Sequence, residues 1–135
     1  IHEGIRWVND SKATNVNAAS AGITSLDTPV ILLAGGSDKQ ADFSAFGALV
    51  RERAKEVVLY GATRQHLAEA IGDDHVTAIV QNLEEAVDMA QLLASAGDTV
   101  LLSPACASYD QFRSYEHRGD VFRELARGLQ KGSTP

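Results

Sequence analysis

The sequence predicts a three-layer α/β fold in one domain, with a mostly parallel sheet and helices on both faces. Short apolar runs rich in Val, Ile and Leu alternate with segments of helical period, which is typical of βαβ units. Three of the runs, VILLAG, EVVLYG and DTVLLS, are continuously apolar at their centres, as expected for strands buried on both faces. A chain of 135 residues suits one domain, because a domain of this size buries roughly two-thirds of its unfolded surface.

The elements follow in a regular order along the chain. Predicted strands occupy residues 6–10, 30–35, 56–61, 76–80 and 98–103, and predicted helices occupy residues 15–23, 44–54, 64–71, 83–96 and 109–129. In the fourth helix Leu83, Val87 and Ala90 share one apolar face, and Gly97 follows where a helix stop is expected. Gly119 leaves open whether the last helix is bent or divided.

The composition of the chain argues against several classes of function. The net charge of -6 argues against a nucleic-acid partner, because phosphate binding draws on clustered Lys and Arg. No apolar run reaches the roughly 20 residues of a membrane helix, and no signal-peptide pattern opens the chain, so we expect a cytoplasmic protein. The single cysteine, Cys106, excludes an internal disulfide, and the four histidines are scattered, so we expect no metal site.

The first polar turn, NDSKATN, follows the strand that begins at Arg6. Thr14 or Asn15 could cap the next helix, leaving backbone N–H groups free to bind an anion. Asp10 and Lys12 point to the same side of an extended backbone and could pair or share one polar ligand. The alternative is a surface ion pair worth only about 0–1 kcal/mol.

The second polar turn, GGSDKQADFS, follows VILLA. Gly35 and Gly36 let the backbone turn tightly, and Lys39 can reach a carboxylate or a phosphate. Neither GxGxxG nor GxxxxGK[ST] is present, so this is not a nucleotide fingerprint. The alternative is an ordinary glycine turn with a solvated lysine.

The third polar turn, SPACASYDQF, follows TVLL. Ser108 and Gln111 match the S-x-x-Q capping box of a helix start, and capping is compatible with contact to a ligand. Cys106 has no histidine nearby in sequence, so a buried thiol is favoured over a nucleophile. Phe112 and Tyr115 lie at helical i, i+3 spacing, and the sequence does not say which of them is in the core.

The carboxyl ends of parallel strands meet at one edge of the sheet, so the three turns are expected to lie together. Their lysines, hydroxyls and helix N-termini form a donor-rich receptor for a small anion, a carboxylate or a phosphate. No general base with an orienting partner is evident, and we assign no catalytic residue. The residues alone predict binding rather than chemistry within this chain.

The three motifs WVNDSKATN, GGSDKQADF and LLSPACASYDQFRSYEHRGDVF together resemble the C-terminal domain of the D-glutamate-adding Mur ligases of peptidoglycan synthesis, over residues 4–129. The resemblance implies a dinucleotide-binding-like (Rossmann-like) fold and an ATP-dependent, amide-forming enzyme of three domains. It implies that residues 1–135 are the amino-acid-binding domain, without the UDP-binding domain and the central ATPase domain. We expect the isolated chain to be inactive, because ATP and Mg²⁺ would be held mainly by the central domain.

The resemblance also implies the site residues. D-glutamate would be held by Thr14, Lys39, Ser108, the backbone at Tyr109 and the ring of Tyr115. Asp10 and Lys12 would reach ATP when the domain closes, Asp10 toward the ribose and Lys12 toward the terminal phosphate. In the isolated chain they are expected to be without partners or mobile. Tyr115 stands where the family often has Phe, and Tyr109 where it often has Leu. UDP-N-acetylmuramoyl-L-alanine would be bound through the other domains, and a monomer is expected.

Two alternatives remain open from the sequence. One is a free-standing Rossmann-like nucleotide- or anion-binding module, which lacks its expected glycine fingerprint here. The other is a regulatory or partner-binding α/β domain without a small ligand, in which the polar rim contacts another protein.

Overall fold

A computed structural model of the chain describes residues 4–37, 42–106, 108 and 110–132. Within these residues five strands form one parallel sheet: β1 Arg6–Asn9, β2 Val30–Gly35, β3 Ala54–Tyr60, β4 Ala78–Ile79 and β5 Thr99–Leu102. Their spatial order is β1-β5-β2-β3-β4, and every neighbouring pair is parallel. The predicted parallel sheet is confirmed, although β4 is shorter than the predicted run 76–80.

Helices cover both faces of the sheet. They are α1 Val16–Thr24, α2 Ser44–Arg53, α3 Arg64–Ile71, α4 Leu83–Leu93 and α5 Tyr115–Gly132, with a short 3₁₀ helix at Asp73–His75. Side chains of α1, α2 and α3 pack in one core cluster with Leu32 and Ala34 of β2. Side chains of α4 and α5 pack in a second cluster with Ile31 and Leu33. Alternate residues of β2 thus pack against helices on opposite faces of the sheet, which confirms the predicted three-layer fold.

The order of the strands places a crevice on each side of β5. The chain leaves β1 and β2 through helices on one face, whereas it leaves β5 through α5 on the opposite face. Ligands of open parallel sheets bind outside the carboxyl ends of the strands where neighbouring connections diverge in this way. The turns after β1, β5 and β2 therefore surround the favoured position for a ligand.

The start of α5 differs from the prediction. The helix begins at Tyr115, and the Ser114 hydroxyl accepts a hydrogen bond from the backbone N–H of His117 at 3.1 Å. The predicted capping box at Ser108 is wrong, because the Ser108 carbonyl instead closes a turn with the N–H groups of Gln111 and Phe112. From Tyr115 the helix runs without a break through Gly119.

Tertiary hydrogen bonds explain why residues 110–114 are not helical. The N–H of Asp110 donates to the Ser37 hydroxyl at 2.8 Å, and its carboxylate accepts from the N–H of Ala62 at 3.0 Å. The side-chain amide of Gln111 donates to the Gln81 carbonyl at 2.7 Å. These contacts reach the carboxyl ends of β2, β3 and β4, so the segment spreads across the sheet edge before α5 begins.

Helix α4 also ends earlier than predicted. It stops at Leu93 rather than at residue 96. The Asp98 carboxylate accepts a hydrogen bond from the Ser95 N–H at 2.9 Å, and the Asp98 N–H donates to the Ser95 carbonyl at 3.0 Å. This local turn competes with the last helical turn that the apolar period suggested.

Candidate functional site

Backbone hydrogen bonds join the three polar turns at the sheet edge. The N–H of Gly35 donates to the Pro104 carbonyl at 3.1 Å, which links the second turn to the third. The N–H of Ala105 donates to the Ala13 carbonyl at 3.0 Å, which links the third turn to the first. Ala105 has a φ of 63°, a left-handed conformation that costs energy for a residue with a Cβ. The predicted clustering of the turns is confirmed.

The first turn presents Thr14 at the N-terminus of α1. Of the two candidate caps it is Asn15 whose side chain accepts from the Ala18 N–H, at 2.9 Å. Within the described ranges no hydrogen bond involves the Thr14 hydroxyl. Thr14 is half-buried, so its hydroxyl and the start of α1 are available to an anionic ligand.

Thr14 lines a cavity of about 240 Å³, the Thr14 cavity, which also touches Asn15, Ser37, Asp42, Phe43 and Cys106. The cavity therefore contacts all three turns. Two predicted ligand residues, Lys39 and Tyr109, lie outside the described residues. Ser37 and Asp42, the described residues on either side of positions 38–41, both line the cavity.

The Asp42 carboxylate gives the cavity an acid that the sequence analysis did not single out. It accepts a hydrogen bond from the Ser44 N–H at 2.9 Å. Hydrogen bonds from the side chain and the backbone of Ser44 lower the pKa of Asp42 from its ordinary value. The cavity wall thus combines hydroxyl and N–H donors with an ionised carboxylate, which suits a zwitterion better than a simple anion.

Two other predicted D-glutamate residues lie apart from the cavity lining. Ser108 is buried, with 1% of its surface exposed. Tyr115 is 44% exposed and lines a neighbouring hollow of about 230 Å³ together with Ser11, Lys12, Glu116 and Arg123, which we call the Lys12 hollow. Phe112 packs at the margin of the second core cluster, so of the two aromatic rings it is Phe112 that belongs to the core.

Asp10 and Lys12 lie at the outer side of the first turn and both line a third hollow of about 270 Å³. The Asp10 carboxylate accepts a hydrogen bond from the Ser103 hydroxyl at 3.1 Å, so the expectation that Asp10 is without a partner is wrong. Lys12 is exposed. In the described part of the chain it forms no side-chain hydrogen bond or ion pair, and the suggested Asp10–Lys12 ion pair is not formed.

Comparison with known proteins identifies the family. Residues 1–106 match the family described as Mur ligase, glutamate ligase domain. The chain belongs to this Mur ligase family. This confirms the family-level resemblance found in the three motifs.

Curated relatives are similar to the chain in sequence, and a solved structure is similar to it in fold. The chain is 44% identical over 132 residues to the UDP-N-acetylmuramoylalanine–D-glutamate ligase of Pelotomaculum thermopropionicum, covering 96% of the chain and 29% of that protein. It is 47% identical to the ligase of the same name from Pseudomonas savastanoi, covering 95% of the chain and 30% of that protein. MurF ligase from Thermotoga maritima in complex with ADP shares the fold, with a TM-score of 0.56 and 13% identity over 98% of the chain and 30% of that protein. The chain spans about a third or less of the length of these proteins.

One buried residue of this Mur ligase domain, Arg118, was not predicted from the sequence to belong to the site. Arg118 is fully buried, and its guanidinium donates to the Ser11 hydroxyl at 2.9 Å, to the Ser11 carbonyl at 2.8 Å and to the Cys106 carbonyl at 3.0 Å. Burial lowers the pKa of Arg118 from its ordinary value. A signal was present, because Arg118 is spaced at i, i+4 and i, i+7 from the apolar residues Phe122 and Leu125.

Cys106 of the Mur ligase domain is buried, as the sequence predicts. Its sulfur lies 3.3 Å from the Thr63 hydroxyl, and its carbonyl accepts from Arg118. Among the described residues no group of three or more His, Cys, Asp or Glu side chains could hold a metal ion. The described helices include none that is long and apolar enough to cross a lipid bilayer.

Proposed function

We propose that this chain is the D-glutamate-binding domain of an ATP-dependent ligase that adds D-glutamate to UDP-N-acetylmuramoyl-L-alanine. The curated relatives that carry this ligase name support the proposal. The observation that carries it is the Thr14 cavity, because an amino acid with two carboxylates and one ammonium group needs both donors and an acid. The Thr14 hydroxyl and the start of α1 serve a carboxylate, and Asp42 is complementary to the ammonium group.

The proposed chemistry divides between this chain and other domains. Thr14, Lys39, Ser108 and the backbone at Tyr109 hold the D-glutamate carboxylates, and the ring of Tyr115 borders the pocket. The ammonium group first loses a proton to solvent, and the free amine attacks the carbonyl carbon of an acyl phosphate. The carbon–nitrogen bond forms, the carbon–oxygen bond to phosphate breaks so that phosphate leaves, and the nitrogen loses a second proton to give the amide. Holding the two reactants in this geometry lowers the barrier by several kcal/mol.

ATP is proposed to lie mainly in another domain, where Mg²⁺ would neutralise the charge of its phosphates. Asp10 would contact the nucleotide ribose and Lys12 the terminal phosphate when the domains close. The exposure of Lys12 and its freedom from partners in the described part of the chain support this role. Closure would also exclude water, which otherwise hydrolyses an acyl phosphate.

Several further properties belong to this proposal. The whole ligase is a cytoplasmic monomer, and the domain by itself does not hydrolyse ATP. A free-standing nucleotide-binding module is not favoured, because the relatives of this chain are ligases.

The proposal is tested by phosphate release from the whole ligase with D-glutamate or L-glutamate. Release should depend on D-glutamate. The variant Thr14→Val should raise the KM for D-glutamate about 10- to 100-fold, the equivalent of one hydrogen bond to a charged group. Thr24→Val is the matched control, because the Thr24 hydroxyl is exposed at the other end of α1 and donates to the Ser20 carbonyl within the same helix. Equal KM values for the two variants would contradict the proposal.

A further inference from the structure

We infer that Arg118 is a positioning residue that holds the two ligand-binding turns of the proposed ligase in one fixed arrangement. The inference rests on the proposed function. Arg118 touches neither ligand in that proposal. It acts through the backbone of the turn that carries Asp10, Lys12 and Thr14 and through the backbone of the turn that carries Ser108.

The guanidinium of Arg118 forms hydrogen bonds to both turns. Two of its nitrogens, Nε and Nη2, donate to the hydroxyl and the carbonyl of Ser11 at 2.9 and 2.8 Å. The third nitrogen, Nη1, donates to the Cys106 carbonyl at 3.0 Å. Because the guanidinium is planar and rigid, these three bonds fix the separation and the orientation of the two turns together.

The acceptors lie next to the proposed ligand residues in the chain. Ser11 stands between Asp10 and Lys12, and Cys106 stands two residues before Ser108. A displacement at Ser11 moves the nucleotide side, and a displacement at Cys106 moves the amino-acid side. One buried side chain therefore controls both halves of the site.

Contacts between α5 and the first turn hold Arg118 and Ser11 in this arrangement. The Ser11 hydroxyl donates to the Tyr115 carbonyl at 2.7 Å while it accepts from Arg118, so its hydrogen-bonding capacity is used on both sides. The side-chain amide of Asn9 donates to the Gly119 carbonyl at 3.1 Å. A Cβ at Gly119 would lie only 3.1 Å from the Asn9 amide nitrogen and 3.3 Å from the Ser11 Cβ, so the helix and the first turn are in close contact.

The charge of Arg118 points to this role rather than to simple packing. Within the described ranges no carboxylate forms a direct ion pair with the guanidinium, although the nearby Asp110 carboxylate favours its charged form. Burying a charge without a direct ion pair is expensive. An apolar side chain of similar length would fill the same space without that cost. What an apolar side chain lacks is the set of donors that connects three acceptors on two separate turns.

The test uses the whole ligase with the variants Arg118→Met and Arg118→Lys and with Arg127→Met as the matched control. Arg127 lies on the same helix, with 61% of its side chain exposed. Both Arg118 variants should raise the KM for D-glutamate and for ATP by about tenfold or more, since the loss of a hydrogen bond to a charged ligand group corresponds to at least about a tenfold change in affinity. The KM for UDP-N-acetylmuramoyl-L-alanine should stay within about twofold, because another domain binds it.

A merely structural role predicts a different result. Partial unfolding lowers the concentration of active enzyme, so kcat falls while all three KM values stay the same. That pattern, or variants that behave like Arg127→Met, would overturn the inference. Ser11→Ala provides a milder change if the Arg118 variants do not fold, and it should raise the same two KM values by a smaller factor.

The design also separates this inference from the proposed function. If the unsubstituted ligase shows no D-glutamate-dependent phosphate release, the proposed function fails, and the role of Arg118 in it fails too. If the unsubstituted ligase is active and the KM values of the folded Arg118 variants are unchanged, only the inference about Arg118 fails.

Discussion

The Ser103 hydroxyl donates a hydrogen bond to the Asp10 carboxylate at 3.1 Å, which joins the carboxyl end of β5 to that of β1. Ser103 is fully buried, whereas Asp10 is half-buried. A Cβ at Gly22 would lie 2.6 Å from the Asp10 carboxylate and 3.2 Å from the Ser103 hydroxyl, so helix α1 closes the third side of this contact. The Asp10 carboxylate, which is proposed to reach the nucleotide, is therefore held in place by the end of β5 and by α1.

Removal of the Ser103 hydroxyl should release Asp10. We expect Ser103→Ala to lower the free energy of unfolding by about 1–3 kcal/mol, because a hydrogen bond to a charged group is lost. Ser95→Ala, at an exposed position, should change it by less than about 0.5 kcal/mol. Urea unfolding of the chain measures both values. A Ser103→Ala variant as stable as Ser95→Ala would show that the contact contributes nothing.

A glycine contact holds α2 against α3. A Cβ added to Gly47 would lie 2.2 Å from the Ala70 carbonyl oxygen, so Gly47→Ala must push the two helices apart. We expect a loss of about 1–3 kcal/mol, as for other overpacked positions. Gly128→Ala is the control, because a Cβ there meets nothing within 4 Å and should stabilise α5 by roughly 0.5–1 kcal/mol. Thermal or urea unfolding should show opposite signs for the two variants, and equal signs would contradict this packing.

The start of α5 at Tyr115 has a direct test. Ser114→Ala removes the hydroxyl that accepts from the His117 N–H, and loss of such a cap costs about 0.5–2 kcal/mol. Hydrogen exchange of the amides in the first turn of α5 should become faster in this variant. Ser108→Ala should leave that exchange unchanged, since the residue lies outside the helix. The reverse pattern would restore the capping box that the sequence suggested.

Asp98, at the opposite end of the sheet from the ligand site, should make stability depend on pH. Burial alone raises its pKa, but hydrogen bonds from Lys55 at 2.8 Å and from the Ser95 N–H outweigh burial and lower it. A lowered folded-state pKa means that the stabilisation is fully present above the unfolded pKa of about 3.9 and is lost as pH falls through the folded-state pKa.

We therefore expect Asp98→Asn to be less stable than the unsubstituted chain by about 1–3 kcal/mol at pH 7, with the difference shrinking below about pH 4. Asp120→Asn is the control, because its pair with Arg123 is exposed on both sides and should add little. Urea unfolding from pH 7 to pH 2.5 gives the comparison. A difference that persists unchanged at the lowest pH would contradict the account of Asp98.

The sheet and its layers could be predicted from the sequence because they depend on local apolar patterns. VILLAG became β2, with successive residues buried in opposite layers, and residues 64–71 became α3 with the predicted bounds. Asn15 caps α1, as local chemistry suggests. Gly97 has a positive φ but does not end α4, which stops at Leu93.

Features of the site that depend on contacts distant in sequence could not be predicted in this way. Asp110 meets Ser37 and Ala62 only in the folded chain, and those contacts delay the start of α5. The separation of Tyr115 from the Thr14 cavity follows from that delay, because the helix places Tyr115 beside Lys12. Arg118 binds Ser11, which lies 107 positions away in the sequence, and a local pattern can indicate that Arg118 is buried but not which residue it binds.

The central claim is that this chain supplies the D-glutamate site, and amide chemical shifts of the ¹⁵N-labelled chain test it most directly. Titration with D-glutamate at millimolar concentrations should give saturable shifts at Thr14, Val16 and Ser108, with L-glutamate as the control giving smaller ones. The absence of any saturable shift at these residues, or equal shifts with both enantiomers, would contradict the claim.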